Sequence, residues 1–305
     1  MSIPPSGRQA ELVHGDQRVT VVEVGGGLRD WRVGDRPVLD GYDLAAQCTW
    51  GRGQLLLPWP NRILDGRYEI DGQPQQLALT EPGLHNAIHG LTRWSAWRLD
   101  QPAADRVLAE HLLHPQPGYP LTLLCQAEYR LGPDGLTVRM SVTNQSDRPA
   151  PVGMGAHPYL LVGDAGVDVA SLRVPAETRL ITDHRGIPTG RQSVSGTGQD
   201  FRQLRRIGAA VLDTAYTDLI RDADGLARLP LSIPDRFDLT LWVDRHWPFL
   251  QVFTGDTMPE PERRRSVAVE PMTCAPNAFN TGDGLQMLAP KQTLSGSWGI
   301  QVRLG

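Results

Sequence analysis

The sequence of 305 residues contains little cysteine and no long apolar run. No segment approaches the roughly 20 apolar residues that span a bilayer, and the first residues lack the apolar stretch of a signal peptide. The cysteines are odd in number and far apart, which matches neither a disulfide framework nor a zinc module. We therefore expect a cytoplasmic protein without a membrane segment, and reduced thiols at Cys48, Cys125 and Cys274.

An excess of positive charge is also absent. The formal net charge is −4, whereas domains that bind nucleic acid usually carry a basic face. Two short basic runs, Arg205–Arg206 and the three arginines at 263–265, are typical of solvated loops. We expect no nucleic-acid partner and no membrane partner.

Helical signal is weak, because 25 prolines and 32 glycines interrupt the chain. Only residues 201–210 have the pattern of a short helix. Residues 189–200, rich in Gly and Ser, predict a loop that leaves and rejoins one domain, since the strand pattern resumes beyond them. The chain is expected to form a single domain over residues 1–305.

Short strand patterns are abundant and end at Gly, Pro or Asp. Residues 121–131 and 136–142 flank Gly-Pro-Asp-Gly at 132–135, which predicts a hairpin. Residues 237–244 alternate between apolar and mostly polar side chains, as expected for a strand with one wet face. Residues 18–24, 267–269 and 300–304 predict further strands. The fold class is therefore all-β, a sandwich or barrel.

Polar residues among prolines and aromatic residues define the first candidate site, at residues 57–62. Trp59 offers a flat apolar wall and Arg62 a cation. Such a pair suits a sugar, whose C–H face stacks on an aromatic ring while its hydroxyls bind charged groups. On local pattern alone, Arg62 also fits a surface ion pair.

The second candidate site contains two histidines four residues apart, His85 and His89. On a helix they would be metal ligands. The Pro-Gly before them and Gly90 after them leave no room for a helix, and no third ligand cluster is nearby. We expect no metal, and a His89 that hydrogen-bonds either a ligand or the backbone.

Three further residues have both a catalytic and a structural interpretation. His157 lies between Ala156 and Pro158, which restricts its backbone to extended conformations. Glu270 ends an apolar strand just before a proline, and it fits either a salt bridge at the rim of the core or a general base with a shifted pKa. Asp213 could bind a ligand or only a turn.

Taken in order, these segments resemble the aldose 1-epimerase family. The resemblance extends from about residue 19 to residue 302, and residues 274–285 look like the bacterial branch of that family. Each motif alone is weak, whereas five in register are specific. The matching positions are Asn61-Arg62, His89-Gly90, Gly-Ala-His-Pro-Tyr at 155–159, Asp213 and Glu270-Pro271.

The resemblance implies a galactose mutarotase-like fold, a large antiparallel β-sandwich with few short helices and an open sugar pocket. It also implies interconversion of sugar anomers, with Glu270 as catalytic base and His157 as catalytic acid. Arg62, His89 and Asp213 would hold sugar hydroxyls. The family needs no metal or organic cofactor. We expect a hexose as the small-molecule partner, and a monomer or homodimer.

Three alternatives stay open at this point. An epimerase of a phosphorylated or sulfonated hexose would need an extra cation, which the arginines at 263–265 could supply. A sulfonated hexose would also suit a tryptophan in the site, for which Trp59 and Trp94 are candidates. A glycoside hydrolase would need two carboxylates, Glu270 and Asp213, and would give His157 no catalytic role. A non-catalytic module would bind sugar without exchanging its anomers.

The single glycine after His89 and the Asp-Thr-Ala-Tyr at 213–216 depart from many relatives, and both bear on which sugar is bound.

Overall fold

A computed structural model describes residues 3–304, which form almost only β-strands. Helix is confined to single turns, two of 3-10 type at Pro82–Leu84 and Val167–Val169 and one α-helical turn, α1, at Ala278–Thr281. No helix in these residues is long and apolar enough to cross a membrane. In chain order the strands are β1 Gln9–His14, β2 Gln17–Val22, β3 Leu28–Val33, β4 Arg36–Pro37, β5 Leu55–Leu56, β6 Arg62–Leu64, β7 Arg67–Ile70, β8 Gln73–Gln76, β9 Asn86–Ile88, β10 Arg98–Ala103, β11 Arg106–Leu113, β12 Leu123–Gly132, β13 Gly135–Asn144, β14 Ala150–Val152, β15 Gly155–Ala156, β16 Tyr159–Leu161, β17 Ser171–Leu172, β18 Ala176–Thr182, β19 Pro188–Ser193, β20 Arg205–Arg206, β21 Asp213–Leu219, β22 Ala227–Ser232, β23 Phe237–Val243, β24 Phe249–Phe253, β25 Ser266–Met272, β26 Gln286–Leu288 and β27 Thr293–Leu304.

Two large antiparallel sheets dominate the architecture. The nine-stranded sheet has the order β10-β11-β12-β13-β27-β23-β22-β17-β20. The eight-stranded sheet has the order β19-β18-β21-β24-β25-β15-β5, and β16 also pairs with β25. A four-stranded sheet, β1 to β4, and three two-stranded ribbons complete the fold. The predicted all-β class and the antiparallel sandwich are confirmed.

Alternating burial explains why the clearest strand patterns form strands. In β23, Phe237, Leu239, Leu241 and Val243 are buried while the residues between them are half-buried or exposed. The predicted hairpin is also present, because β12 and β13 pair up to Gly132 and Gly135 at the turn. Period-2 patterning of this kind places one face of a strand on the core.

Strand β25 of the eight-stranded sheet is buried on both faces, and this position prepares the site. Every residue of β25 is buried. Val267 and Val269 belong to the main core, whereas Ala268 and Met272 belong to two smaller clusters. Alternate residues of β25 therefore face away from the main core, and Glu270 shares that face with Ala268 and Met272.

Three expectations about local structure were wrong. Residues 201–210 form no helix, since Arg205–Arg206 pairs with β17 at the edge of the nine-stranded sheet and tertiary pairing overrides weak helical propensity. Residues 189–200 are not all loop, because β19 extends to Ser193 as a mostly exposed edge strand. β25 does not end at Glu270 but continues through Pro271 to Met272.

All three cysteines are buried and unpaired, as expected. None of them is placed to form a disulfide or to act as an exposed nucleophile.

Candidate active site

Three neighbouring strands of the eight-stranded sheet place polar side chains on one face. Glu270 of β25 lies opposite Gln251 of β24, and Gln251 lies opposite Ala215 of β21. Asp213 is two residues from Ala215 and therefore on the same face. The Gln251 Nε2 donates a hydrogen bond of 2.6 Å to the Asp213 Oδ1. The sheet thus builds a polar row from residues that are far apart in the sequence.

His157 reaches this row from the end of β15. Its backbone is held at both ends, since its N–H donates to the carbonyl of Gln54 and its carbonyl accepts from Gly53. Its ring stacks on Tyr159 with centroids 4.9 Å apart. The His157 Nε2 lies 3.3 Å from the Glu270 Oε1, and both side chains are nearly inaccessible. The two predicted catalytic residues are therefore neighbours.

Gly51 also lies close to the histidine ring. Its φ of +75° is strained for any residue with a side chain, and an added Cβ would lie 3.0 Å from the His157 Cδ2. The turn thus closes against the imidazole and limits its movement.

His89 has a defined tautomer. The backbone N–H of Asn61 donates to the His89 Nδ1 at 3.2 Å, and the N–H of His89 donates back to the Asn61 carbonyl. A backbone N–H can only donate, so in the neutral ring the proton lies on Nε2. His89 therefore presents a hydrogen-bond donor to the pocket. Both residues have a positive φ, 56° and 62°, which is uncommon outside glycine.

The donor atoms of His89, His157 and Glu270 all lie within 4.8 Å of one another, close enough for a metal ion. The His89 tautomer opposes this use, because Nε2 would have to lose its proton while Nδ1 faces an N–H. His85 takes no part, since it is exposed and lies 2.9 Å from the Asp65 carboxylate. The absence of a metal stays a prediction.

Burial shifts the pKa values of the central pair in opposite directions. Burial, assisted by the nearby charge of Asp213, raises the pKa of Glu270 well above 4.5. Burial, assisted by the charge of Arg93, lowers the pKa of His157 from 6.5 to about 3. The second carboxylate oxygen of Glu270 has no hydrogen-bond partner among the described residues. Glu270 is thus a strong base when ionised, and His157 a strong acid when protonated.

Arg62 fits both of its interpretations. Its Nε and one terminal nitrogen donate to the two oxygens of Glu81, each at 2.8 Å. It also lines the pocket together with Glu81. The ion pair joins the start of β6 to the 3-10 turn at Pro82–Leu84, and it fixes the arginine at the edge of the site.

These side chains line one cavity of about 460 Å³. Two partly exposed tryptophans, Trp50 and Trp94, also line it, with 44% and 52% of their surface exposed. The cavity brings together five of the six predicted site residues: Arg62, His89, His157, Asp213 and Glu270.

The structure does not place Trp59 in the cavity. Only 2% of its surface is exposed, and its ring packs edge-on against Phe279 at 5.5 Å. Because the prolines on either side direct it into the core, it has no face left for a sugar. This corrects the predicted sugar-stacking wall.

The arginines at 263–265 do not line the cavity either. Arg264 is bound to Asp168 and Asp256, and Arg265 is bound to Asp40. The charges of Arg264 and Arg265 are used in ion pairs, and none of the three arginines reaches the cavity, so this run does not form the phosphate clamp of that alternative.

Comparison with known proteins identifies the family of this chain. The family model described as aldose 1-epimerase matches residues 8–301. The chain belongs to the aldose 1-epimerase family. Within curated proteins it is 33% identical over 285 residues to the uncharacterized protein YihR of Escherichia coli K12, covering 93% of this chain and 89% of YihR.

Solved structures share the fold of this family member. The GalM/aldose epimerase homologue from C. elegans superimposes with a TM-score of 0.87 at 16% identity, over 97% of this chain and 99% of that one. Galactose 1-epimerase from Lactobacillus acidophilus gives a TM-score of 0.82 at 19% identity, over 97% and 94%. At these identities the likeness concerns the fold alone.

Several residues of the cavity were not identified from the sequence. Gln251 had a detectable pattern, since it is an amide inside an apolar strand, and the structure buries it. Arg93 had one too, because it follows the His89-Gly90 motif closely. Glu81 had none, since only the pairing of β6 with β9 brings it near Arg62.

Proposed function

We propose that the protein interconverts the α and β anomers of a hexose by acid–base catalysed opening and closing of the pyranose ring. One observation carries this proposal: a buried carboxylate and a buried imidazole, 3.3 Å apart, lie in a cavity of about 460 Å³. Family membership supports the same reaction class.

The proton transfers balance without a cofactor. Glu270 takes the proton of the C1 hydroxyl while the Nε2 of protonated His157 gives its proton to the ring oxygen, and the bond from C1 to that oxygen breaks. The product is an open-chain aldehyde, with Glu270 protonated and His157 neutral. Rotation about C1–C2 and reversal of both transfers closes the ring as the other anomer. Each positioned acid or base contributes about 10²–10⁴-fold.

The remaining pocket residues hold the hydroxyls away from C1. The Nε2–H of His89 and the guanidinium of Arg62 are donors, whereas the exposed Asp213 at the mouth is an acceptor held by Gln251. Because these residues hold the hydroxyls away from C1, rotation about the C1–C2 bond of the open-chain sugar stays free.

The test follows the relaxation of fresh α-D-glucose and α-D-galactose by polarimetry or NMR. Glu270→Gln and His157→Asn are expected to lose at least about 100-fold in rate. Glu69→Gln and His114→Asn, which alter exposed residues outside the cavity, serve as matched controls and should retain the rate. Prior treatment with EDTA should also leave the rate unchanged. Acceleration that survives both active-site substitutions would refute the acid–base assignment.

The alternatives predict different outcomes. A glycoside hydrolase would release sugar from an aryl glycoside and lose that activity in Asp213→Asn. A non-catalytic module would bind sugar with no exchange of anomers.

We propose a cytoplasmic location, which the buried unpaired cysteines support. A monomer or homodimer stays a prediction.

A further inference from the structure

Arg93 is a cation in the cavity without an acidic partner. It lines the pocket beside Trp94, whose ring centre lies 5.9 Å from the guanidinium carbon. Its only side-chain hydrogen bonds are long, 3.4 Å to the Gln54 Oε1 and 3.5 Å to the Ile88 carbonyl. Within residues 3–304 no carboxylate forms an ion pair with it.

Arg62, in the same cavity, differs from Arg93 because it has an acidic partner. Both oxygens of Glu81 bind it at 2.8 Å, so its charge is already compensated. A half-buried guanidinium without a counter-ion is costly in free energy, and planar guanidinium groups bind carboxylate, sulfonate or phosphate oxygens well. The ligand of this cavity is therefore expected to supply an anion to Arg93.

Arg93 lines the same cavity as the proposed acid and base, His157 and Glu270. After burial, the charge of Arg93 also contributes to the lowered pKa values of His157 and His89. In the proposed reaction C1 lies at His157 and Glu270, so the anion that Arg93 binds belongs to a substituent on another carbon of the sugar.

We propose that the preferred substrate is a hexopyranose with an anionic substituent away from C1, and that Arg93 binds this group. The proposal rests on the proposed epimerase function and specifies its substrate class. The three chemical sources of such an anion are a sulfonate, a phosphate ester and a uronate carboxylate.

Binding of the anion also acts on catalysis. Burial and, after it, the uncompensated charge of Arg93 lower the pKa of His157, which disfavours the protonated acid. A bound anion offsets that charge, so His157 holds its proton more readily in the complex. The anionic substituent is expected to raise kcat as well as to lower KM.

The experiment compares kcat/KM for α-D-glucose, glucose 6-phosphate, glucuronate and 6-deoxy-6-sulfoglucose. At least one anionic sugar should exceed glucose by 10-fold or more, and Arg93→Gln should reduce that ratio by about 10–100-fold, or about 1.4–2.8 kcal/mol. Arg93→Lys should restore part of it. The anion with the largest ratio identifies whether a tetrahedral or a planar group is preferred. Arg98→Gln, an exposed arginine outside the cavity, is the matched control and should keep the ratio.

The two proposals fail in different ways. The substrate class is wrong, and the epimerase function stands, if kcat/KM for glucose equals or exceeds that for every anionic sugar. The same conclusion follows if Arg93→Gln keeps the preference for an anionic sugar. If no sugar is accelerated, the epimerase function itself is refuted, and the substrate class with it. Folding of each variant is checked by circular dichroism.

Discussion

At the scale of single residues, Glu270 combines a catalytic position with an unfavourable environment. It is 3% exposed, and one of its oxygens has no hydrogen-bond partner among the described residues. Burial raises its pKa, so the ionised form that would act as a base is the form that folding disfavours. Function and stability therefore oppose each other at this residue.

Glu270→Gln should for this reason stabilise the fold at neutral pH. In the unfolded chain the carboxyl ionises near 4.5, whereas in the fold its pKa is higher. The folded state then binds more protons above pH 4.5, so the stability of the wild type falls as pH rises toward the folded pKa. The variant lacks this fall and should gain about 1–3 kcal/mol at pH 7.

Urea unfolding of both proteins at pH 5 and pH 8 measures this effect. The difference in free energy of unfolding should be larger at pH 8. An equal difference at both pH values would contradict a raised pKa of Glu270, and Glu69→Gln, an exposed change, controls for the loss of one charge.

At the scale of elements, a turn and a strand end meet at the active histidine. The turn at Gly51 packs on His157, which follows β15, and β15 pairs with the strand that carries Glu270. The acid and the base are thus held by adjoining backbone, and the turn limits the freedom of the acid. Such positioning contributes strongly to catalysis, since small displacements of a reacting group are costly.

Gly51→Ala tests this contact against a matched control. Gly72 has a similar φ, +70° against +75°, but an added Cβ there meets nothing within 4 Å. Both alanine variants should lose about 1 kcal/mol of stability from backbone strain. Only Gly51→Ala should also lose kcat, by about 10-fold or more. Equal kcat in the two variants would show that the turn does not position His157.

At the scale of the whole molecule, one core joins distant parts of the chain. The largest hydrophobic cluster includes residues from Ala10 to Ile300 and members of all the larger sheets. We therefore propose that residues 1–305 form a single domain, as the sequence predicts. The family match over residues 8–301 is consistent with this organisation.

A single domain predicts one cooperative unfolding transition. Trp31, Trp97, Trp247 and Trp298 are fully buried, so tryptophan fluorescence reports on the core. Its midpoint in urea should coincide with that of far-ultraviolet circular dichroism. Two separate midpoints would instead indicate parts that unfold independently.

Local patterns were sufficient for the features that depend on neighbours in the sequence. Alternation at residues 237–243 and the turn residues at 132–135 determine a strand and a hairpin, because side-chain direction and turn geometry are local properties. Motif resemblance singled out five candidate residues that the fold brings together in one cavity. Local patterns failed for β19 and β20, whose exposed or weakly patterned residues form strands only because another strand is available to pair with them.

Tertiary structure alone decided which aromatic and basic residues face the cavity. Trp59 and Trp94 each lie close in sequence to a candidate site motif, yet one is in the core and the other at the cavity. The arginines at 263–265 looked available, but Arg264 and Arg265 pair with Asp168 and Asp40, which are far away in the sequence, whereas Arg93 pairs with no carboxylate of residues 3–304. The sequence by itself determined the residue types and the strand pattern. Which charges are left uncompensated depends on how the folded chain pairs residues far apart in sequence, because burial and ion pairing arise only when those residues meet.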